Sequence, residues 1–183
     1  GDLRGFREHA DDSAQYSDEL VGLLNEVIVR LFDCRLPVVT VVDGQLTGGA
    51  LGLVLAADIV LVTDRASFTP YYVETGFSPD GGWAALLPDV IGRTRASTVQ
   101  LLNQTISASQ ALDWGLVNYL YPPGDIFAEA VNTAQEITAA AALIVVVIFR
   151  NEIRGVLQTK NIRGILWELP KRSTATPIEV IAE

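Results

Sequence analysis

The sequence is poor in the residues that build disulfides, metal sites and nucleic-acid interfaces. Its 183 residues include one cysteine, Cys34, and one histidine, His9. A single cysteine cannot form an intrachain disulfide, and one cysteine with one histidine argues against a zinc site. Lys and Arg number 13 against 22 Asp and Glu, for a net charge of −9. Because phosphate contacts need clustered basic side chains, we expect no nucleic-acid partner.

A long apolar run is also absent. The longest, Ala139 to Phe149, is shorter than the about 20 residues that a membrane-spanning helix needs, and no signal peptide is visible. We therefore expect a cytoplasmic protein without a membrane partner, and we interpret this run as a buried element of the core or of a subunit interface. Methionine is missing altogether. We accordingly expect that an N-terminal section has been removed or is not part of this sequence.

Hydrophobic residues, at 49% of the chain against 19% charged, are frequent enough to build a core. Their spacing predicts an amphipathic helix capped by Ser17, then buried strands within Pro37–Gly44 and Asp58–Thr63. Residues 67–82 look rich in loops, and a helix follows within 95–104. A capping box with Ser107 and Gln110 begins another helix, a short strand follows it, and the pattern is helical from Ile126 onward. This order predicts an α/β fold with a helical tail.

Four glycines lie where the first strand gives way to a helix, in "VDGQLTGGALGLVLAADIV". A strand, a glycine-rich turn and a helix start direct backbone N–H groups and the positive end of a helix dipole at one spot. The spacing of Gly44, Gly48, Gly49 and Gly52 fits neither the dinucleotide fingerprint nor the P-loop. A lone oxygen that becomes negative, such as a thioester enolate, suits the turn better. The alternative is tight packing of helix on strand without a ligand.

Four motifs, in order, resemble those of the crotonase family, the enoyl-CoA hydratases and isomerases. They are "GDLRGF", "PVVTVVDGQLTGGALGLVLAADIVL", "ASFTPYYVETGFSPDGGWAALLPDVIGRTRA" and "ISASQALDWGLVNYLYP", and the likeness covers Gly1 to about Thr138. The resemblance implies a crotonase-like β-β-α spiral core over residues 1–138, incomplete at its N-terminus. It also implies a C-terminal helical region over residues 139–183 that mediates assembly into a homotrimer or homohexamer.

The resemblance further implies an acyl-CoA thioester substrate, with coenzyme A as part of the substrate and neither a separate cofactor nor a metal. The backbone N–H groups of Gly1 and Gly49 would form the oxyanion hole. The substrate-binding residues that it implies are Asp2, Leu3, Gly48, Phe68 and Tyr72. Arg93, Arg95, Lys160 and Lys171 are candidates to meet the phosphates of coenzyme A, or are scattered surface charges.

Two departures from the family pattern bear on the chemistry. Family hydratases use two glutamates to place and activate water, and the matching positions here are Gly52 and Tyr72. Without those carboxylates, addition of water across a double bond is not expected. The segment keeps Asp80, in "SPDGG". Family members with this motif include double-bond isomerases, and a dehalogenase branch uses an aspartate at a matching place as a nucleophile.

The sequence thus favours an enoyl-CoA double-bond isomerase with Asp80 as its acid/base, since one carboxylate in an apolar pocket can lift a proton and return it. Glu74 is the other carboxylate that could serve as the base. Asp80 could instead be a turn or N-cap aspartate. Two other functions remain: a degenerate crotonase fold that binds a thioester or a partner without turnover, and another enolate-forming enzyme such as a decarboxylase or dehalogenase.

Overall fold

The computed structural model describes residues 8–138 and 145–150. Within them the helices are α1 Ser13–Phe32, α2 Leu51–Leu55, α3 Tyr72–Thr75, α4 Leu87–Ile91, α5 Arg93–Leu101, α6 Ala108–Asp113 and α7 Ile126–Thr138. Short 3-10 helices lie at Ala10–Asp12 and Gly48–Ala50. The strands are β1 Val38–Asp43, β2 Gln45–Thr47, β3 Ile59–Thr63, β4 Ser67–Thr69, β5 Ile106–Ser107, β6 Tyr119–Tyr121 and β7 Val145–Arg150.

The larger sheet is parallel and has the strand order β6-β3-β1-β7. All six residues of β1 are buried, which explains its nearly continuous apolar sequence. Alternate side chains pack on opposite faces: Val39 and Val41 contact the cluster around Ile126 of α7, whereas Val42 joins the main core on the other side. The strands predicted within Pro37–Gly44 and Asp58–Thr63 are confirmed, and they pair directly, with Val39 opposite Ile59.

The smaller sheet has the order β2-β4-β5. Strand β2 follows β1 directly after Gly44, and β4 follows β3 after a short turn. Each of these two β-β-α units therefore contributes one strand to each sheet before its helix. This is the β-β-α spiral that the sequence motifs imply. Strands β2 and β4 run parallel, with Gln45 opposite Ser67 and Thr47 opposite Thr69. Their carboxyl ends consequently lie side by side.

The helical expectation for the apolar run near residue 145 is wrong where the structure describes it. Residues Val145–Arg150 form a strand that pairs with all of β1, from Val38 opposite Val145 to Asp43 opposite Arg150. The sequence "VVVIF" is β-branched and aromatic, which suits a strand beside β1. The remainder of the predicted helical region, residues 139–144 and 151–183, lies outside the described residues, and the domain boundary near residue 138 stays a prediction.

Local helix signals had mixed outcomes. Helix α1 begins at Ser13 rather than after Ser17, whose hydroxyl donates to the carbonyl oxygen of Ser13 at 2.8 Å inside the first turn. The polar residues ahead of the apolar stripe continue the helix, so the stripe marks the buried face and not the start. The capping box is confirmed: the N–H of Gln110 donates to Oγ of Ser107, and the side chain of Gln110 accepts from the N–H of Ser107.

The segment 67–82 is more regular than its prolines and glycines suggest. It contains β4 and the single helical turn α3 in addition to its loops. Pairing with β2 supplies the order that local composition does not. No helix among the described residues is both long and apolar enough to cross a bilayer.

Candidate active site

Parallel pairing of β2 with β4 brings two segments of the candidate site together. The turn Gly48–Ala50 begins immediately after β2, and α3 begins three residues after the end of β4. Since the carboxyl ends of neighbouring parallel strands meet at one edge, the glycine turn and Tyr72 become neighbours. The chain then leaves α3 and returns through Asp80 to the same turn.

Gly49 and Asp80, the predicted oxyanion donor and the predicted base, are in close contact. A Cβ atom placed on Gly49 would lie 2.7 Å from Oδ1 of Asp80 and 2.5 Å from Cδ2 of Leu24 on α1. Any side chain at residue 49 would therefore displace the carboxylate. Gly49 is the second residue of a short helical turn, where a backbone N–H has no acceptor within the helix. The turn thus offers a donor beside a carboxylate.

Gly81, the residue after Asp80, packs directly against the backbone of Gly49. Gly81 adopts a left-handed conformation with φ of +55°, and a Cβ atom on it would lie 2.5 Å from Cα of Gly49. The two glycines therefore pack backbone against backbone, which a larger residue at either place would prevent. This contact fixes the backbone position from which the side chain of Asp80 extends, and it explains why the motif has glycine at residue 81.

The hydroxyl of Tyr72 donates a hydrogen bond to Oδ1 of Asp80 and lies 3.4 Å from the backbone carbonyl oxygen of the same residue. Tyr72 is only 8% exposed, whereas Asp80 is half-buried. Burial, and then the hydrogen bond to Asp80, raise the pKa of the Tyr72 phenol well above its ordinary value near 10. The phenol consequently keeps its proton at neutral pH and acts as a donor.

Trp83 connects the tyrosine to the glycine turn. Its side chain is completely buried, its indole N–H donates to the carbonyl oxygen of Gly48 at 2.7 Å, and its ring meets the ring of Tyr72 edge-on at 6.3 Å between centroids. The backbone carbonyl of Trp83 accepts a hydrogen bond from Gln100 on α5 at 2.8 Å. Tyr72, Asp80, Trp83 and the turn at Gly48 and Gly49 therefore form one connected cluster.

The other predicted site residues have different surroundings. Phe68 is completely buried in the main core, and its contact with substrate stays a prediction. Glu74 is exposed on α3. The predicted oxyanion donor Gly1 and the predicted substrate-binding residues Asp2 and Leu3 lie outside the described residues.

Two of the remaining polar candidates, His9 and Arg95, contact aromatic rings outside the cluster. The ring of His9 stacks on Tyr16 at 4.2 Å between centroids, and the guanidinium of Arg95 lies 5.2 Å from the ring centroid of Trp114. Lys160 and Lys171 lie outside the described residues. Within residues 8–138 and 145–150, no group of three or more His, Cys, Asp or Glu side chains could hold a metal ion.

An open groove of about 480 Å³ runs along α5. Its lining residues are Arg93, Thr94, Ser97, Thr98, Leu101 and Leu102. None of them contributes to the contacts among Gly49, Tyr72 and Asp80. The chemistry of the carboxylate, and not the size of this groove, therefore identifies the candidate site.

Sequence reasoning missed two features of the candidate site, the contact of Tyr72 with Asp80 and the bridge made by Trp83. The resemblance implies that Tyr72 replaces a glutamate and binds substrate, whereas in the structure its hydroxyl is directed to Asp80. The seven residues between them include most of a helical turn and Pro79, so no helical or strand period relates the two side chains. The one available signal was that both positions belong to a single motif.

The chain matches a family model and several known proteins. The family model described as enoyl-CoA hydratase/isomerase matches residues 2–167. The chain is similar to 4-chlorobenzoyl coenzyme A dehalogenase-1 of an Arthrobacter species, at 33% identity over 114 residues, which is 62% of this chain and 41% of that protein. It is also similar to the trans-2-decenoyl-[acyl-carrier-protein] isomerase of Streptococcus mutans, at 32% identity over 124 residues, 67% of this chain and 47% of that protein.

A solved structure of an enoyl-CoA hydratase/isomerase from Cupriavidus metallidurans CH34 superposes with a TM-score of 0.68 at 29% identity. The match covers 77% of this chain and 53% of that one. The chain thus spans less than half the length of the two curated relatives named above, and about half of this solved chain.

Proposed function

The chain belongs to the enoyl-CoA hydratase/isomerase family. On that premise we propose that it forms part of an enzyme that moves a double bond in an acyl-CoA thioester. The observation that carries the proposal is the contact between Gly49 and Asp80. A backbone N–H that can hold a developing oxyanion then lies beside a carboxylate that can exchange a proton with the same substrate.

The proposed reaction needs one base and one oxyanion donor. The carboxylate of Asp80 takes a proton from C2 of a 3-enoyl thioester. The electron pair passes to the carbonyl oxygen of the thioester, and the substrate becomes a dienolate with its negative charge on that oxygen. The N–H of Gly49, together with that of Gly1, would donate to this oxygen. Asp80 then returns the proton to C4, which gives the 2-enoyl thioester and restores the carboxylate. The carboxylate ends as it began, and coenzyme A stays part of the substrate.

A second candidate is displacement of halide from an aromatic thioester, which the likeness to a chlorobenzoyl coenzyme A dehalogenase favours. Asp80 would attack the halogen-bearing carbon, halide would leave, and water would hydrolyse the resulting aspartyl ester. That last step calls for a base to activate the water. Among residues 8–138, no hydrogen bond or ion pair joins Asp80 to a histidine or to a second carboxylate. Isomerisation needs only the one carboxylate and is therefore preferred.

The test is a panel of 3-enoyl and 2-enoyl thioesters, with a 4-halobenzoyl thioester included, supplied to the full-length protein. We expect turnover of an enoyl thioester, and we expect Asp80→Asn to lower the rate by about 10²–10⁴ with nearly unchanged thioester binding. Asp89→Asn is the matched control, because Asp89 is an exposed aspartate on α4. Halide release from the benzoyl substrate would favour the second candidate.

Three outcomes would overturn the assignment of Asp80 or of the reaction. If Asp80→Asn isomerises normally, the base lies elsewhere, and Glu74→Gln is the next variant to measure. If the wild type binds a thioester but turns over none, the fold is a degenerate binding module. If the wild type neither binds nor turns over any member of the panel, the proposed substrate class is wrong.

We also propose that the protein is cytoplasmic and assembles as a homotrimer or homohexamer. Support for assembly comes from large apolar side chains left uncovered in the single chain, such as Phe77, Leu101 and Leu102, each more than 70% exposed. Sedimentation of the full-length protein tests the assembly, and a stable monomer at micromolar concentration would contradict it.

A further inference from the structure

We propose that Tyr72 is the positioning residue of Asp80: its hydroxyl holds Oδ1, so that Oδ2 is the oxygen that exchanges a proton with the substrate. This inference rests on the proposed function, because it assigns roles to the two oxygens of the same carboxylate. The observation that carries it is the hydrogen bond from the Tyr72 hydroxyl to Oδ1 of Asp80. A carboxylate held by one oxygen has lost its free rotation and presents the other oxygen in a fixed direction.

The tyrosine ring is itself held in place, as a positioning residue must be. Tyr72 is 8% exposed, and its ring packs edge-on against the completely buried Trp83, with a 77° angle between the ring planes. Trp83 is in turn tied to the carbonyl oxygen of Gly48 and to the side chain of Gln100. The hydroxyl is therefore presented by a packed ring and not by a mobile surface side chain.

The same oxygen of Asp80 that accepts from Tyr72 also contacts the glycine turn. A Cβ atom on Gly49 would come within 2.7 Å of Oδ1, so this oxygen is enclosed between the phenol and the turn. Oδ1 consequently has little room for a substrate carbon. The other oxygen is the one left for chemistry, which is why the two oxygens of one carboxylate receive different roles.

The phenol cannot replace Asp80 as the base. Burial and the hydrogen bond to Asp80 raise the pKa of Tyr72, so the phenol stays protonated under the neutral conditions in which acyl thioesters are stable. A protonated phenol donates a hydrogen bond and is too weak a base to take a proton from the substrate. Tyr72 therefore acts through Asp80, and its removal should change the rate without removing the base itself.

The test compares Tyr72→Phe with the wild type on whichever enoyl thioester the full-length protein turns over. The variant removes one oxygen atom and keeps the ring that packs on Trp83. We expect kcat to fall about 10- to 100-fold, the loss that follows from removing a hydrogen bond to a charged group, and KM to stay within about twofold. Tyr119→Phe is the control, because Tyr119 is 48% exposed on strand β6 and should leave kcat unchanged.

A double-mutant cycle separates positioning from general stabilisation. If the hydroxyl acts through the carboxylate, Tyr72→Phe should cost much less in the Asp80→Asn background than in the wild type, because the group that it positions is no longer a base. A merely structural tyrosine would instead lower the rate by the same factor in both backgrounds and would lower the urea midpoint of unfolding. Equal losses in both backgrounds would therefore overturn the inference.

The outcomes distinguish this inference from the proposed function. Turnover by the wild type together with an unchanged kcat for Tyr72→Phe overturns the positioning role and leaves the isomerase proposal intact. Absence of turnover by the wild type on every thioester overturns the proposed function, and the positioning role falls with it. A rise in KM with unchanged kcat would make Tyr72 a substrate-binding residue, as the sequence had suggested, and would also overturn the inference.

Discussion

The side chain of Asn103 holds the backbone of Tyr71 in a left-handed conformation. The N–H of Tyr71 donates to Oδ1 of Asn103 at 2.7 Å, and the two residues have φ angles of +62° and +49°. Left-handed backbone is unfavourable for a large side chain, by roughly 1–2 kcal/mol. Tyr71 is the residue directly before α3, so this conformation sets the direction in which Tyr72 enters the helix. The half-buried Asn103 thereby holds the backbone next to the residue that contacts Asp80.

We expect Asn103→Ala to lower the free energy of unfolding by roughly 1–3 kcal/mol. The change removes the acceptor of the Tyr71 N–H and places at positive φ an alanine, whose side chain cannot form a local hydrogen bond. Urea unfolding measures this change. Asn103→Asp is the matched control, since aspartate keeps an acceptor oxygen and tolerates the left-handed region. An alanine variant as stable as the aspartate variant would show that the hydrogen bond does not hold Tyr71.

The raised pKa of Tyr72 predicts a loss of stability in alkali. An unfolded tyrosine loses its proton near pH 10, whereas the folded phenol keeps its proton to higher pH. Above pH 10 the folded state therefore binds more protons than the unfolded state, so the free energy of unfolding falls as pH rises, by up to about 1.4 kcal/mol per pH unit for this one group. Below pH 10 this contribution is constant.

Tyr72→Phe should remove that slope. We expect urea unfolding between pH 9 and pH 11 to show a shallower decline for the variant than for the wild type, with Tyr119→Phe declining as the wild type does. Parallel curves for wild type and Tyr72→Phe would mean that the phenol titrates normally in the folded protein.

The sequence predicted those parts of the fold in which local and global preferences agree. The strand before Gly44 is β-branched and wholly buried, and the capping box of Ser107 and Gln110 needs only residues three apart. The strand Val145–Arg150 was missed because periodicity alone does not distinguish a short apolar run in a helix from one in a strand. Its state is decided by pairing with β1, about a hundred residues earlier in the chain.

The candidate site was predictable to a similar extent. The motifs identified Gly49 and Asp80, and the structure brings them together. They could not show that the residue replacing a glutamate, Tyr72, turns its hydroxyl onto Asp80, because that contact depends on the fold of the seven intervening residues and on packing against Trp83. Sequence motifs identify which residues meet, whereas hydrogen-bond partners depend on how loops pack.

Gly52 and Gly22 offer a matched pair of helical glycines with opposite expectations. A Cβ atom on Gly52 would lie 2.5 Å from the carbonyl oxygen of Gly81, a backbone atom that cannot move freely, whereas a Cβ atom on Gly22 meets nothing within 4 Å. We expect Gly52→Ala to destabilise by roughly 1–3 kcal/mol through overpacking and Gly22→Ala to stabilise by roughly 0.5–1 kcal/mol. Urea midpoints of the two variants check this, and a Gly52→Ala protein as stable as the wild type would refute the close approach.

Hydration of a 2-enoyl thioester is expected to be slow, because neither position that holds a water-activating glutamate in family hydratases carries one here. The structure adds a reason why substitution should not restore the activity. Residue 52 has no room for a Cβ atom against Gly81, and a glutamate at residue 72 would place a second negative charge beside Asp80. The double variant Gly52→Glu, Tyr72→Glu should therefore be destabilised and remain a poor hydratase.

The measurement is loss of the crotonyl-CoA enoyl absorbance, for the wild type and for the double variant. Turnover at rates typical of enzymes, on the order of 10–10³ per second, by the wild type would show that water is activated by a group other than the two glutamates. The same rate in the double variant alone would show that the turn beside Gly81 can open enough to admit a side chain.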